Sequence, residues 1–312
     1  MTTLILHHYP SSPFAEKVRL ILGYKQLAWK SVIIPMVSPK PDLVALTGGY
    51  RRTPVLQIGA DIYCDTSLIS DVLEHVQPEP SVYPEPSKGM GRTLAHWADN
   101  ILFWTAMGYN MQPKGIAQLF GNAPPEAGRA FAEDRKAMSA GMTRLRPADA
   151  AAAYRSYLRR ISDMLDDWPF LLGELPCIAD FSVYHPLWFT RTRTSVLADV
   201  LDATPAVIAW MDRMAAFGHG HIEKSGTRDA IDVAAAATPG VLNDDIFQDE
   251  HGIPLGSRVV ITSESFGPEP VEGELIAATR MRYTLRRQDE RAGLLHVHFP
   301  RIGYCLKAQA AA

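Results

Sequence analysis

The sequence has few cysteines, no long apolar run and little net charge. Its three cysteines, Cys64, Cys177 and Cys305, are scattered, so they form neither a metal-binding spacing nor an even set for disulfides. No apolar stretch approaches the ~20 residues that span a bilayer. No basic segment precedes a long apolar stretch near the N-terminus, so we expect no signal peptide. The formal net charge of −3 favours neither a nucleic acid nor a membrane as partner. We therefore expect a protein of the reducing cytoplasm.

Several catalytic motifs are missing as well. The chain contains no Gly-x-Ser-x-Gly elbow of a serine hydrolase and no glycine-rich phosphate loop with its lysine. Two close histidine pairs, 219 with 221 and 296 with 298, have no neighbouring cysteine or carboxylate that completes a ligand set. We therefore expect no bound metal.

The most informative segment that is present runs from Ser12 to Arg19, directly behind the short apolar run Leu4–Leu6. Ser12 is a preferred helix N-cap, and Pro13 suits the first helical position. The N–H groups at a helix N-terminus are unpaired and stabilise an anion. A bound thiolate could be that anion, with the Ser12 hydroxyl donating a hydrogen bond to the sulfur.

Two further polar positions follow at turns. A glycine-rich turn leads through Thr53-Pro54 into a short strand, and an X-Pro bond is the kind of peptide bond that can be cis. A tight hairpin returns the chain to Asp65-Thr66, which begins another amphipathic helix. The predicted order is strand, helix, strand, short helix, hairpin and helix.

This order, with polar residues at three helix or loop mouths, resembles the thioredoxin-like N-terminal domain of cytosolic glutathione transferases. The run Ser12–Lys17 is most similar to the omega-class motif, with serine where that class has its cysteine. In the family, an acidic residue and a hydroxyl hold the γ-glutamyl end of glutathione, and the residue before a cis-proline binds its cysteinyl backbone. The resemblance therefore implies glutathione as co-substrate, with Ser12 at the sulfur and a binding set of Thr53, Pro54, Asp65 and Thr66.

The residue at the sulfur has two alternatives. Some transferase classes use a tyrosine near the end of the first strand, which makes Tyr9 a second candidate. A shift of one residue in the turn would present Ser11 instead. A serine at this place argues against a mixed-disulfide mechanism, because that mechanism needs a protein thiolate.

The resemblance also implies an electrophile pocket between the first two domains, for which we predict Phe103, Trp104, Met107, Tyr109, His185 and Trp188.

The rest of the chain changes character twice. The proline-rich segment 77–87 predicts a linker. Beyond it the pattern predicts helices at 88–109, 125–145, 149–168, 178–189 and 205–217, which matches the all-helical second domain of the family. Cys177 stands where the family has a capping Ser or Thr. A thiol is a poor acceptor, so either the cap is weaker than usual or Asp180 takes a larger share of the hydrogen bonding at the helix N-terminus. The alanine-rich stretch 233–237 with Pro239-Gly240 is predicted to be a second linker.

From about Gly252 the pattern predicts five short strands, at 258–262, 271–278, 281–287, 294–299 and 303–307. This composition suggests a small barrel of the SH3-like kind, which the family lacks. The predicted fold is an α/β thioredoxin-like domain (residues 1–77) plus an all-α helical domain (88–235), together the glutathione transferase fold. A small all-β module (250–308) follows.

The resemblance implies a glutathione transferase that acts in detoxification as a homodimer. In its reaction the glutathione thiolate would attack a small apolar electrophile or a peroxide. A glutathione-linked isomerase or dehalogenase would use the same site residues. The alternative is a non-catalytic scaffold of the same fold, in which the C-terminal β module recruits a protein partner.

Overall fold

The computed structural model describes residues 3–242 and 246–309. Ten strands form one continuous sheet in the order β10-β6-β7-β8-β9-β4-β3-β1-β2-β5. The first domain supplies the central strands. β1 pairs in parallel with β2 and antiparallel with β3, and β3 pairs antiparallel with β4. In chain order this domain contains β1 (Leu4–His8), α1 (Pro13–Tyr24), β2 (Ala28–Ile33), α2 (Pro41–Thr47), β3 (Val55–Ile58), β4 (Asp61–Cys64) and α3 (Thr66–Val76).

Helix α1 begins where the sequence predicts. The Ser12 hydroxyl accepts a hydrogen bond from the Ala15 N–H at 3.2 Å, and Pro13 occupies the first helical position. Val18 and Ile21 are fully buried on its inner face. Because β1 ends at His8, this geometry holds Ser12 in the turn at the carboxyl end of the strand. The predicted thioredoxin-like architecture is confirmed.

Residues 77–87 form only bends and a short turn, and the helical domain follows them. Its elements are α4 (Lys88–Trp97), a π-helical turn (Ala98–Leu102), α5 (Phe103–Asn110), α6 (Pro113–Phe120), α7 (Pro125–Met138), α8 (Pro147–Met164), α9 (Ile178–Trp188), a second π-helical turn (Phe189–Arg193), a 3₁₀ helix (Ser195–Leu201) and α10 (Pro205–Ala215). The sequence did not predict α6 or the 3₁₀ helix, and α7 ends at Met138 instead of 145. Among the described helices, none has both the length and the apolarity that a membrane crossing requires.

Asp180 lies at the centre of the helical domain and caps α9. Its carboxylate accepts hydrogen bonds from the backbone N–H groups of Cys177 and Leu171 and from the indole N–H of Trp210, each at 2.9 Å. Burial raises the pKa of Asp180, although these hydrogen bonds oppose the shift. Of the two alternatives for this cap, the larger share for Asp180 agrees with this geometry, and the Cys177 side chain still takes part in the capping box.

The C-terminal strands form the predicted all-β module. They are β6 (Arg258–Ser263), β7 (Val271–Ala278), β8 (Arg282–Asp289), β9 (Gly293–Pro300) and β10 (Tyr304–Ala308). β9, which a closed barrel would pair with another strand of the module, pairs in parallel with β4 of the first domain. The module therefore continues the central sheet, and β10 lies at its outer edge.

The region between the helical domain and the module differs from the sequence prediction. Residues 233–237 are not a linker along their length, because helix α11 (Thr227–Ala236) includes most of them. Its Ala230, Ile231 and Ala234 are buried in the core that the sheet strands share. Before it, β5 (His221–Ser225) pairs in parallel with β2 and forms the other edge of the sheet. Residues 221–235, predicted to belong to the helical domain, thus pack with the sheet.

Candidate functional site

A cleft of about 920 Å³ opens beside the carboxyl end of β1. Its walls come from the first domain, from α4, α5 and α7 of the helical domain, and from loops of the C-terminal module. The structure brings together at this cleft every residue that was predicted on the glutathione side: Tyr9, Ser11, Ser12, Thr53, Pro54, Asp65 and Thr66. That these residues hold glutathione stays a prediction.

Ser12 is only 2% exposed, but it lines the cleft. Its oxygen accepts the hydrogen bond from Ala15, and its own proton has no acceptor among the described residues. The hydroxyl is therefore free to donate to an atom in the cleft at the N-terminus of α1, where the helix dipole favours an anion.

The two alternatives to Ser12 also lie on the cleft wall. The Ser11 hydroxyl is directed to the sulfur of Met36, at 3.8 Å. The Tyr9 hydroxyl accepts a hydrogen bond from Arg135 of α7 at 3.3 Å, which leaves the tyrosine proton available as well. Geometry alone therefore keeps all three candidates, and only Ser12 lies at the N-cap of α1.

Thr53 presents its backbone to the cleft. The Thr53–Pro54 peptide bond is cis, as the sequence suggested. Neither the N–H nor the carbonyl of Thr53 makes a hydrogen bond to any residue that the structure describes. A donor and an acceptor on one residue match the backbone of a peptide-like ligand in extended conformation.

Lys40 is a site residue that the sequence analysis missed. It is 8% exposed, lines the cleft, and directs its ammonium to the Thr53 hydroxyl at 3.4 Å. No carboxylate of the described residues lies within 4.0 Å of it. Burial lowers the pKa of Lys40 to about 8; Arg135 and Arg51 add to the shift, and Asp134 opposes it. A buried cation without a counter-ion is a ready site for a carboxylate. Its only sequence signal was its position just before α2.

Thr66 is tied to the helical domain through a buried ion pair. The Lys17 ammonium donates to the Thr66 hydroxyl at 3.1 Å and to the Asp99 carboxylate at 2.7 Å. Asp99 belongs to the π-helical turn and also accepts a hydrogen bond from His185 at 3.0 Å. Burial alone would raise the pKa of Asp99, but Lys17 and His185 outweigh it and lower the value to about 2. The ion pair fixes the hydroxyl relative to both domains.

The Asp65 carboxylate already has several partners. One oxygen accepts hydrogen bonds from the N–H and the hydroxyl of Ser67, both at 3.0 Å. The other accepts from the hydroxyl of Tyr304 in β10 at 3.1 Å and faces Arg52 at 3.4 Å. An ammonium group that binds Asp65 must therefore share the carboxylate with the C-terminal module.

Three of the six predicted electrophile-pocket residues line the cleft: Phe103, Trp104 and Met107. The other three are placed elsewhere. Tyr109 is in the core, where its hydroxyl donates to the Leu197 carbonyl at 3.2 Å. His185 is fully buried behind Phe14, and the two ring centroids are 4.5 Å apart. Trp188 faces Arg19 of α1 instead of the cleft. Helical spacing identified the right helices but not which of their faces meets the cleft.

The C-terminal module supplies a cleft wall that the sequence analysis did not foresee. Its loops contribute Phe266 from the turn between β6 and β7, Met281 from the turn between β7 and β8, and Ile302 from the turn between β9 and β10. No local sequence signal indicates this, because the loops approach the cleft only through the pairing of β9 with β4.

No group of three or more His, Cys, Asp or Glu residues that could hold a metal ion occurs in the part of the chain that the structure describes. His298 instead makes a structural contact between the first domain and the module. Its ring donates to the Asp61 carboxylate at 2.9 Å on one side and contacts the Thr284 hydroxyl at 3.0 Å on the other. All three side chains are buried.

Comparisons with known proteins agree with the fold. The family model for the glutathione S-transferase N-terminal domain matches residues 6–81, and that for the C-terminal domain matches residues 129–213. The crystal structure of a GST-like protein from Pseudomonas syringae is 42% identical, with a TM-score of 0.83 over 99% of this chain and 100% of that chain. A glutathione S-transferase from Rhodospirillum rubrum is 22% identical, with a TM-score of 0.50 over 68% of this chain and 88% of that chain.

A further relative is the FtsZ-localized protein A of Caulobacter vibrioides, which is 22% identical over 182 residues. The match covers 57% of this chain and 72% of that protein. The two family models and the 42% identity over the full length of the Pseudomonas syringae protein define the class. The chain belongs to the glutathione S-transferase superfamily.

Proposed function

We propose that the protein activates glutathione, whose thiolate then attacks a small apolar electrophile or a peroxide. The observation that carries this proposal is the Ser12 hydroxyl, which lines the cleft at the N-terminus of α1 with its proton unused by the described residues. A detoxifying role and a homodimer belong to the same proposal and depend on the resemblance to the family. A cytoplasmic location also belongs to it and depends on the cysteine content and composition of the sequence.

The neighbouring groups support a glutathione-sized ligand. The free backbone N–H and carbonyl of Thr53 suit the cysteinyl unit, and the buried Lys40 ammonium suits the glycyl carboxylate. Asp65 and Thr66, at the N-terminus of α3, suit the ammonium and carboxylate of the γ-glutamyl end. Lys40 extends the set that the sequence analysis predicted.

The proposed chemistry depends on the pKa of the bound thiol. A free thiol, with a pKa near ~8.5, is mostly protonated at neutral pH. A hydrogen bond from Ser12 and the dipole of α1 both favour the anion and so lower that pKa. The thiolate then forms a sulfur–carbon bond, and the leaving group departs with the electron pair of the bond that breaks. With a peroxide, the thiolate attacks one oxygen and forms the sulfenic acid of glutathione. The other oxygen departs with the electron pair of the O–O bond and takes up a proton to give an alcohol or water.

One observation favours a second candidate, a non-catalytic scaffold. Asp65, the expected anchor of the γ-glutamyl ammonium, is already engaged by Arg52 and by Tyr304 of the module. If these groups occupy Asp65 in place of a ligand, this part of the cleft would only connect the first domain to the module and would not bind glutathione. The relative FtsZ-localized protein A is described by the place where it is found and not by a reaction. In this reading, the module would serve to bind a protein partner.

Glutathione titration by calorimetry separates the two functions. We expect the purified protein to bind glutathione and the ultraviolet thiolate band of the complex to appear well below pH 8. Binding without this shift would contradict catalysis and leave a glutathione-binding protein. If no heat of binding is seen, the scaffold becomes the better description.

A further inference from the structure

The turn between β6 and β7, residues 264–270, lies against the cleft beside the predicted electrophile pocket. Its Phe266 packs against Trp104 of α5, with ring centroids 5.0 Å apart and ring planes at 59°. Both rings line the cleft. They form one aromatic wall that combines the helical domain with a segment outside the two matched family domains.

Three contacts hold this turn in place. The Arg52 side chain donates from Nε to the Phe266 carbonyl at 2.7 Å and also contacts the Ser263 hydroxyl. The Gly267 N–H donates to the Met138 carbonyl at the end of α7, at 2.7 Å. Phe266 is thus fixed from both sides, by the first domain and by the helical domain.

A salt-bridge network strengthens the same attachment. Arg51 pairs with Asp134 of α7 on one side and with Glu269 of the turn on the other. Gly267 has a φ of 63°, a conformation that glycine adopts at little cost. Two neighbouring arginines of the first domain, Arg51 and Arg52, therefore hold the turn that carries Phe266.

We propose that Phe266 is a specificity-determining residue of the electrophile pocket and that it selects flat aromatic electrophiles. This inference rests on the proposed glutathione site. Aromatic rings prefer tilted or offset contacts with centroids ~4.5–7 Å apart, and the Phe266–Trp104 pair presents two such surfaces to a ring in the cleft. An aliphatic group gains burial there but no ring contact.

The test compares two glutathione conjugates, S-benzylglutathione and S-propylglutathione, by calorimetry. Phe266→Ala should weaken binding of the benzyl conjugate about fivefold to tenfold. The propyl conjugate and glutathione itself should change about twofold or less. Phe266→Tyr should restore the preference for the benzyl conjugate. Phe247→Ala, which truncates an exposed aromatic residue away from the cleft, is the matched control.

The outcomes separate this inference from the proposed function. Equal weakening of both conjugates, or no change in either, would overturn the role of Phe266. The protein could prefer the benzyl conjugate through Phe266 and yet never form the thiolate. That result would refute catalysis but support the role of Phe266 in specificity. Failure of the unmodified protein to bind either conjugate would overturn both.

Discussion

Replacing Ser12 by alanine removes the one hydroxyl that the fold holds at the N-cap of α1 with an unused proton. In the proposed complex this hydroxyl donates to the thiolate of glutathione. A hydrogen bond to a charged group contributes ~1.5–3 kcal/mol. One pKa unit corresponds to ~1.4 kcal/mol, so the pKa of the bound thiol should rise by ~1–2 units.

The rate should follow the thiolate population. Below both pKa values, a rise of ~1–2 units lowers the thiolate fraction by ~10-fold to 100-fold, and kcat/KM falls by the same factor. Glutathione affinity should change little at a pH where the sulfur is protonated, because Thr53, Lys40 and Asp65 are untouched. Ser12→Ala also loses the cap of α1, which costs about 1 kcal/mol of stability. Ser12→Thr keeps both the cap and the hydroxyl and controls for this loss.

The assay is a pH titration of the ultraviolet thiolate band, alongside kcat/KM over the same pH range. Ser11→Ala removes the neighbouring hydroxyl, which faces the Met36 sulfur, and should leave the thiol pKa in place. An unchanged thiol pKa in Ser12→Ala would show that Ser12 does not donate a hydrogen bond to the sulfur. A shift in Ser11→Ala or Tyr9→Phe instead would identify the true donor.

Three further predictions test the site and the fold. Lys40→Met should weaken glutathione binding about tenfold without changing the thiol pKa. Lys30→Met, at a residue outside the cleft, should leave the affinity for glutathione unchanged. Equal affinities of Lys40→Met and the unmodified protein in calorimetry would contradict the role of Lys40. Burial lowers the pKa of His7 from its usual 6.5 to about 4, against the Gln57 hydrogen bond. As pH falls, the unfolded chain therefore binds the His7 proton before the folded protein does, which lowers the free energy of unfolding. Measured by urea unfolding, this contribution of His7 should amount to a decrease of about 3 kcal/mol between pH 7 and 4, and it should be missing in His7→Gln. Asp180→Ala leaves three buried N–H groups unpaired and should lower the free energy of unfolding by roughly 3–5 kcal/mol; a loss below about 1 kcal/mol would show that water replaces the carboxylate.

The sequence predicted the parts of the site whose signals are local. Ser12 is an N-cap beside a proline, Thr53 precedes a proline, and Asp65 begins a helix directly after a strand. Each of these roles depends on backbone chemistry within a few residues, so one sequence is enough to detect it. The strand bounds of the module were predictable for the same reason, because each strand lies between turn residues.

The rest depends on contacts between distant residues. Arg52 and Tyr304 are 252 positions apart, and both reach Asp65. Nothing near either residue indicates that pairing. The end of helix α11 lies where the sequence predicts a linker, because alanines followed by proline and glycine are typical of linkers. Here the small alanine side chains instead let the helix pack closely against the sheet. Lys40 was missed because its burial is a tertiary property.

The pairing of β9 with β4 links these long-range contacts to function. It adds the module to the first domain through backbone hydrogen bonds, and the buried Asp61–His298 contact reinforces the joint. An appended domain on a flexible tether could recruit a partner without affecting the cleft. This module instead reaches Asp65, the proposed glutathione anchor, through Tyr304, and the proposed electrophile pocket through Phe266. Tyr304 belongs to β10, which pairs with β6, and β6 leads into the turn that carries Phe266. A change in the module's position would therefore alter both ends of the cleft together. The module is therefore better understood as the third wall of the cleft than as a separate binding arm.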